Sequence, residues 1–336
     1  MTMAMLRLRR TQTSCALMLA LTLALGPTLA SAQGTAAGTY PNRPVTVIVP
    51  FAAGGGTDIV ARMLGNELGK RWKTGVVVEN KPGASGQIGN ALAARAKPDG
   101  YTLLLSTTAL IQEPGLYKKL PYTAVKDFTP VAQVATSTNF LVVPASSPAN
   151  TLKEFITYAR GHQGRLSYGS NGNGGSSHLH GSLFNSVNKL EMVHVPFAGS
   201  APLLTALLGQ QVDAAFVDIS PLRAQLNSGK LKVLAGTGPK RSALLPNVPT
   251  MSEEGIAGFE PVGWFGMFVP SGVPAPIRKT ISDAVVDALK TPEIVKRFEE
   301  LGLSPAQVAP DAFAERMRED TPKWEQMIKA GNVTVE

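Results

Sequence analysis

The stretch from Asn171 to His180 holds the densest group of side chains able to do chemistry, with asparagines, serines and histidines set among glycines. His178 and His180 could begin a metal site, but residues two apart on a helix face away from each other. No third ligand follows at a spacing suited to zinc. We therefore expect no metal site and no cofactor.

A serine beside a histidine could also indicate a hydrolase. The run from Gly175 to His178 does not form the G-x-S-x-G turn of such enzymes, and no acidic partner is identifiable in the sequence. Hydroxyl groups at the start of a helix are more often caps or ligand contacts. The glycine patterns of nucleotide sites are absent as well. The sequence predicts a protein that is not an enzyme.

Four glycine-rich turns, each after an apolar run, offer a different chemistry. The first follows the run Val45–Val49 and ends in three glycines, Thr57 and Asp58. Glycine lets the backbone approach a ligand closely, and Thr57 is expected to be the N-cap of the next helix. Free N–H groups and the helix dipole would bind an anion without a cationic side chain. The other turns lie at positions 80–86, 170–178 and 198–202.

Alternating apolar strands and amphipathic helices position these turns. This alternation favours an α/β protein with parallel sheets, in which ligands bind beyond the carboxyl ends of the strands. Two long extended segments, Phe128–Val143 and Phe259–Pro270, are interpreted as crossings between two lobes. The predicted domains are residues 40–137 together with 262–336, and residues 138–261. The turns would then face each other across an interlobe cleft.

Sequence signals also predict helix boundaries. Thr151 and Glu154 form a capping box. Thr291-Pro292 and Thr321-Pro322 are predicted to be pairs of an N-cap and a first helical residue. A helix is also expected over Arg223–Gly229.

The N-terminus is predicted to be a signal peptide covering residues 1–32. A basic start, an apolar centre and the sequence Ala30-Ser31-Ala32 indicate cleavage after Ala32. The one cysteine, Cys15, would leave with it, so the mature chain would have no disulfide or thiol chemistry. We expect export to the periplasm.

The charge of the chain excludes one class of partner. The net charge is +8, but three of the basic residues are arginines at positions 7, 9 and 10. The remaining Lys and Arg are scattered, without the basic runs of nucleic-acid-binding proteins. We expect no nucleic-acid partner.

Several of these segments resemble the tripartite tricarboxylate transporter solute-binding proteins, also called Bug proteins. The resemblance covers the chain from about Tyr40 to its C-terminus. It is carried by residues 50–58, 80–89, 195–213 and 246–250. It implies a periplasmic-binding-protein fold of type II-like architecture, with two Rossmann-like domains joined by two crossover strands. It also implies a monomer that delivers a small carboxylate to a permease with one large and one small membrane subunit.

The resemblance also implies which residues bind the ligand. In the first lobe they are Gly55, Gly56, Thr57, Asp58, Ala84 and Ser85. In the second lobe they are Asn171, Asn173, Gly174, Ser176, Ser177, His178, Phe197, Gly199, Ser200 and Ala201. Asp218 matches a position that accepts from an amine in amino-acid-binding members, and an exposed or capping aspartate is the alternative. Phe51 and Phe197 would form apolar walls for a flat ligand or pack between the lobes.

Two alternatives to transport stay open at this stage. One is a sensory receptor whose closed form engages a signalling partner, and the other is a periplasmic enzyme on the same fold. The ligand is equally open: tricarboxylates such as citrate, dicarboxylates of four to six carbons, acidic amino acids and aromatic carboxylates such as terephthalate or protocatechuate all fit.

Overall fold

The computed structural model describes residues 40–223 and 225–335. Residues from Pro41 onward form one compact unit, and the fold below is that of this unit. The predicted signal peptide, residues 1–32, lies outside the described residues. Within the described residues, no helix combines the length and the apolar character that a membrane crossing requires.

Strands and helices alternate along most of this unit. The strands are β1 Val45–Val49, β2 Val76–Asn80, β3 Thr102–Thr107, β4 Phe128–Ser137, β5 Asn139–Pro144, β6 Ser167–Ser170, β7 Val193–Pro196, β8 Ala214–Asp218, β9 Leu231–Gly236, β10 Gly263–Pro270 and β11 Ser304–Val308. The helices are α1 Gly56–Trp72, α2 Gln87–Ala94, α3 Ala109–Leu116, α4 Ala124–Asp127, α5 Leu152–Arg160, α6 Ser176–Asn188, α7 Ser200–Leu208, α8 Ile219–Arg223, α9 Ala275–Ala288, α10 Pro292–Glu300 and α11 Pro310–Ala330. A 3₁₀ turn, Ala84–Gly86, precedes α2.

The first sheet has six strands in the order β11-β4-β10-β3-β1-β2. Its β1 strand pairs in parallel with β2 and β3. β1 is rich in valine and almost fully buried, as expected for a strand covered on both faces. The strand β10 pairs antiparallel with β3 and β4. The sheet is therefore mixed, because the returning chain adds antiparallel strands to a parallel half.

The second sheet has five strands in the order β7-β6-β8-β5-β9. β6 pairs in parallel with β7 and β8, whereas β5 pairs antiparallel with β8 and β9. Both sheets thus follow one plan, in which the strand that enters from the other lobe runs against its neighbours. This is the two-lobe α/β fold of periplasmic binding proteins.

Two connections join the sheets. β4 ends at Ser137 in the first sheet and β5 begins at Asn139 in the second. The chain returns to the first sheet at Gly263, the start of β10. The predicted domain segments contain these two sheets, and the domain boundaries themselves stay a prediction.

The C-terminal helix α11 packs on both lobes. The indole of Trp324 lies 5.5 Å from the ring of His180 on α6, between ring centroids. A Cβ at Gly331 would approach the Cβ of Ser182 to 2.9 Å. The helix therefore ties α6 of the second lobe to the first.

Several predicted helix boundaries are confirmed and others are wrong. Thr151 accepts from the Glu154 N–H at 3.2 Å, and Thr291 precedes α10. The helix start predicted at Thr321-Pro322 is wrong, because α11 runs unbroken through both. Pro322 has no N–H, so the helix continues there without the backbone hydrogen bond to the residue four positions earlier.

Two further expectations fail on local grounds. Thr57 is not the N-cap of α1, because the cap is Gly55 and no side chain bonds to the cap position. The helix expected over Arg223–Gly229 ends at Arg223, and the described residues after it form turns. Asn, Ser and Gly at positions 227–229 favour turns over helix.

Candidate functional site

A cleft of about 830 Å³ lies between the two sheets and is lined by residues of both lobes. Most of the predicted ligand-binding residues line it: Phe51, Gly55, Gly56, Thr57, Ser85, Asn171, Asn173, Gly174, Ser176, Ser177, Gly199, Ser200, Ala201 and Asp218. Four others do not: Asp58, Ala84, His178 and Phe197.

The first glycine-rich turn is held from behind by Asp58. Its carboxylate accepts from the Gly54 N–H at 2.8 Å and from the Asn80 amide at 3.0 Å. It also pairs with Arg62 at 3.0 Å. Burial alone would raise the pKa of Asp58, but Arg62, Gly54 and Asn80 together hold it below its ordinary value. Asp58 therefore shapes the turn from inside, and its negative charge is neutralised there.

The third turn is built in the same way with a histidine in place of the aspartate. The His178 Nδ1 accepts from the Gly174 N–H at 3.0 Å. Gly54 and Gly174 share a left-handed φ of 80° and 74°, and the caps Gly55 and Gly175 share a ψ of 166°. Because the two turns match, the third residue of each helix faces away from the cleft: Asp58 in α1 and His178 in α6.

The His178 imidazole stacks on His194, with ring centroids 3.8 Å apart. The His194 Nε2 lies 2.7 Å from the Ser170 hydroxyl. Burial, and then the nearby His194, lower the pKa of His178 to about 4. Burial lowers the pKa of His194 to about 4 as well. The pair is therefore neutral at physiological pH and acts as packing beneath the turn.

The 3₁₀ turn holds Ala84 and Ser85 in the left-handed region, with φ of 46° and 55°. Such backbone is strained for residues other than glycine. The Ser85 hydroxyl accepts from the Tyr117 hydroxyl at 3.0 Å. Ser85 therefore presents its side chain and backbone to the cleft in a fixed position, while Ala84 supports the turn.

In the second lobe, Asp218 is the centre of a hydrogen-bond network. Its Oδ1 accepts from Asn139 at 2.7 Å and Ser137 at 3.0 Å. Its Oδ2 accepts more weakly, from Ser200 at 3.2 Å and Asn171 at 3.4 Å. Burial raises the pKa of Asp218, and these four donors oppose the rise. Ser137 and Asn139 flank the first crossing, so the network joins the hinge to the second-lobe turns.

His180 extends this network into the core. Its Nδ1 lies 3.0 Å from the Asn139 Oδ1, and the Asn139 amide nitrogen donates to Asp218. Because Asn139 offers its oxygen to the ring, we assign the proton to Nδ1. Burial lowers the pKa of His180 to about 3. His178 and His180 thus have separate structural roles.

The two phenylalanines differ in position. The Phe51 ring lines the cleft beside Gly86, where an added Cβ would meet it at 3.5 Å. Phe197 instead packs inward, its ring 3.3 Å from a Cβ built on Gly169. The aromatic residues of the second crossing that line the cleft are Trp264 and Phe265.

Helix α3 contributes residues that the sequence did not single out. The Gln112 amide donates to the Ser176 hydroxyl at 3.0 Å and so bridges the two lobes. Glu113 is 1% exposed and lines the cleft. Pro114 and Gly115 disfavour helix, so the residue pattern does not predict this short helix. A sequence signal beside it is the polar end of β3 at Thr107.

The positive potential of the cleft comes from helix N-termini. Three helices, α1, α6 and α7, begin at it, and their N-caps, Gly55, Gly175 and Gly199, carry no side-chain cap. Among the described residues that line the cleft, none is Lys, Arg or His. Unpaired N–H groups and the helix dipoles together favour an anion. Within the described part of the chain no cluster of three or more His, Cys, Asp or Glu could hold a metal.

Two lobes, a hinge of two crossings and an anion-favouring cleft between them define a solute-binding protein. The family profile described as "TctC: Tripartite tricarboxylate transporter family receptor" matches residues 60–333. The chain belongs to this family.

The chain is also similar to individual members of such families and to solved structures. Protein BugT of Bordetella pertussis is 31% identical over 300 residues, covering 89% of this chain and 92% of BugT. MatC of Rhodopseudomonas palustris, solved with bound malate, is 35% identical with a TM-score of 0.75, covering 86% of this chain and all of MatC. The R. palustris protein Rpa4515, solved with adipate, is 30% identical with a TM-score of 0.79 and covers 88% of this chain and all of its own.

Proposed function

We propose that this protein is a periplasmic receptor that captures a small carboxylate in its cleft and delivers it to a tripartite tricarboxylate transporter permease. The observation that carries the proposal is the convergence of three helix N-termini without side-chain caps on a cleft whose described lining residues include no Lys, Arg or His. Malate and adipate, named with two relatives, are both carboxylates.

The first lobe would hold one carboxylate. Gly56 and Thr57 offer N–H groups at the mouth of α1, and Ser85 approaches from the neighbouring turn. The nearby Asp58 does not oppose an anion, because Arg62 neutralises it. The charge of the ligand would therefore be met by dipoles instead of by a salt bridge.

The second lobe would hold the remaining part of the ligand. The hydroxyls of Ser176 and Ser200 and the amide of Asn173 line that wall. Asp218 limits what can bind there, since a second ionised carboxylate of the ligand next to its carboxyl group would be repelled. The second-lobe site therefore favours hydrogen-bond donors, neutral or cationic, close to Asp218.

Capture would occur by closure of the lobes. The Gln112–Ser176 hydrogen bond joins the lobes directly across the cleft. A ligand that contacts both walls stabilises this closed arrangement in proportion to its differential affinity for it. The closed face would then dock on the large and small membrane subunits of the permease, and the receptor would act as a monomer without catalysis.

Thermal unfolding of the chain from Gln33 onward, against a panel of carboxylates and their neutral amides, tests the proposal. A ligand at ~100 times its dissociation constant stabilises the native state by about 2.7 kcal/mol, which raises the melting temperature measurably. We expect one carboxylate class to give this shift and the amides to give none.

Two variants assign the shift to the cleft. Ser85→Asp places a second carboxylate at the first-lobe turn and should abolish the shift. Ser146→Asp makes the same change on an exposed serine outside the cleft and should preserve it. Equal shifts in both variants would remove the turn from the site. Consumption of the ligand by the pure protein would refute the receptor function in favour of an enzyme.

A further inference from the structure

Glu113 is a buried acid whose place in the cleft calls for an explanation. It lies on α3, is 1% exposed and lines the cleft. A Cβ built on Gly86 would lie 3.4 Å from its Oε1. The carboxyl group therefore lies directly behind the 3₁₀ turn that carries Ser85.

Only one protein donor reaches this carboxyl among the described residues. The Asn90 Nδ2 lies 3.4 Å from Oε2 and 3.5 Å from Oε1, and it also donates to the Tyr122 hydroxyl at 3.1 Å. These are long contacts to a shared donor. These contacts would compensate poorly for the burial of an ionised carboxylate, whereas a neutral carboxyl group needs no further hydrogen-bond donor.

The elements around α3 supply no cation to pair with it. Asn90 of α2 and Ser106 of β3 are neutral, and Gln112 faces Ser176 of α6. The nearby titratable groups are Tyr117 and Tyr122, which follow α3 in the chain. On α11, Glu325 lies beside Gly115 of α3. Lys118 and Lys119 follow α3 on the exposed surface.

We propose that Glu113 must keep its proton when the cleft binds a carboxylate, so that anion capture and protonation of this side chain are linked. The inference rests on the carboxylate-binding function proposed above. An ionised Glu113 would place a like charge behind the anion. For charges ~6 Å apart at an effective dielectric constant of ~20, this repulsion weakens binding on the order of 100-fold.

The pH range of the effect follows from the burial of the side chain. Burial raises the pKa of Glu113 to about 8, and the hydrogen bond from Asn90 lowers it only in part. Glu113 is then mostly protonated at pH 7 and mostly ionised at pH 9. Because only the protonated form binds tightly, the affinity should fall about tenfold between these pH values.

Isothermal titration calorimetry with adipate at pH 7 and pH 9 tests the linkage, with the carboxylate of largest melting shift as the probe if adipate gives none. The wild type should lose about tenfold in affinity. Glu113→Gln, which stays neutral and still accepts from Asn90, should keep its pH 7 affinity at pH 9. At pH 8 the wild type should take up roughly half a proton per ligand, measured in two buffers of different ionisation enthalpy, and the variant none.

Tyr117→Phe is the matched control, since it removes a titratable phenol from the same wall and keeps Glu113. It should retain the tenfold loss. If Glu113 had only a structural role, the affinity of the Gln variant would fall between pH 7 and pH 9 as much as that of the wild type. That result would overturn the inference. So would a wild-type affinity that is the same at both pH values. If no carboxylate binds at any pH, the proposed function fails and the linkage fails with it.

Discussion

Acid should destabilise the folded chain through His178, and replacing this residue by Asn should remove part of that sensitivity. Burial, followed by His194, lowers the pKa of His178 to about 4 in the folded chain, against about 6.5 when unfolded. The unfolded chain therefore binds a proton that the folded chain excludes. The stability that the neutral ring contributes is complete above pH 6.5 and is lost as the pH falls toward 4.

The size of the effect follows from these two pKa values. At pH 5, 1.5 units below the unfolded pKa, the loss is about 2 kcal/mol for His178. Burial lowers the pKa of His180 to about 3 and that of His194 to about 4, so both act in the same direction. Glu113 acts in the opposite direction, because burial raises its pKa. The difference between variant and wild type isolates His178.

Urea unfolding at pH 7.5 and pH 5 measures this difference. Asn at position 178 does not titrate in this range, and its oxygen can accept from the Gly174 N–H. The variant should lose about 2 kcal/mol less than the wild type on acidification. Tyr168→Phe is the control, because it removes a hydroxyl 2.8 Å from Ser182 in the same cluster and keeps both imidazoles. It should lower stability equally at both pH values. If His178→Asn and the wild type lose the same amount, the neutral-histidine reasoning is refuted.

Three further perturbations test the closed cleft and its supports. Gln112→Ala and Ser176→Ala, combined in a double-mutant cycle of ligand affinity, should show a coupling of about 1 kcal/mol, the net value of one hydrogen bond; a coupling near zero would contradict closure through this contact. Gly89→Ala should cost about 1–3 kcal/mol in urea unfolding, because its Cβ would lie 2.7 Å from backbone at the end of β1, whereas Gly161→Ala, with nothing closer than 3.5 Å, should change little. Trp324→Ala should cost about 3–5 kcal/mol since the side chain is fully buried between the lobes, and a loss below 1 kcal/mol would contradict that packing.

Much of the fold was predictable because local signals and burial agree. The valine-rich β1 and the glycine-rich turn after it are recognisable from residue types alone. The two crossings were visible as extended segments that break the alternation of strand and helix. What the sequence did not predict is their direction: β5 and β10 run antiparallel to their neighbours, which depends on where the chain enters each sheet.

The candidate site was predictable at the level of turns and less so at the level of side chains. Residue spacing does not tell which side of a turn a residue faces. The sequence predicts ligand contacts for Asp58 and His178, whereas in the structure both side chains bond back to their own turn. Glu113 was missed for another reason. Its burial arises from the packing of α3 against the 3₁₀ turn, and Pro114 beside it suggests a loop. Acids that are neutral through burial give no signal in a sequence.

The position of α11 has a consequence for the speed of the receptor. A hinge made only of two strands would let the lobes swing freely, but α11 also packs on α6, and Gly331 lies against Ser182. Opening must therefore slide one helix along another, as in shear motions, and carry the chain end with it. We expect ligand entry to be limited by this sliding, so that association is slower than diffusion while the bound state is long-lived.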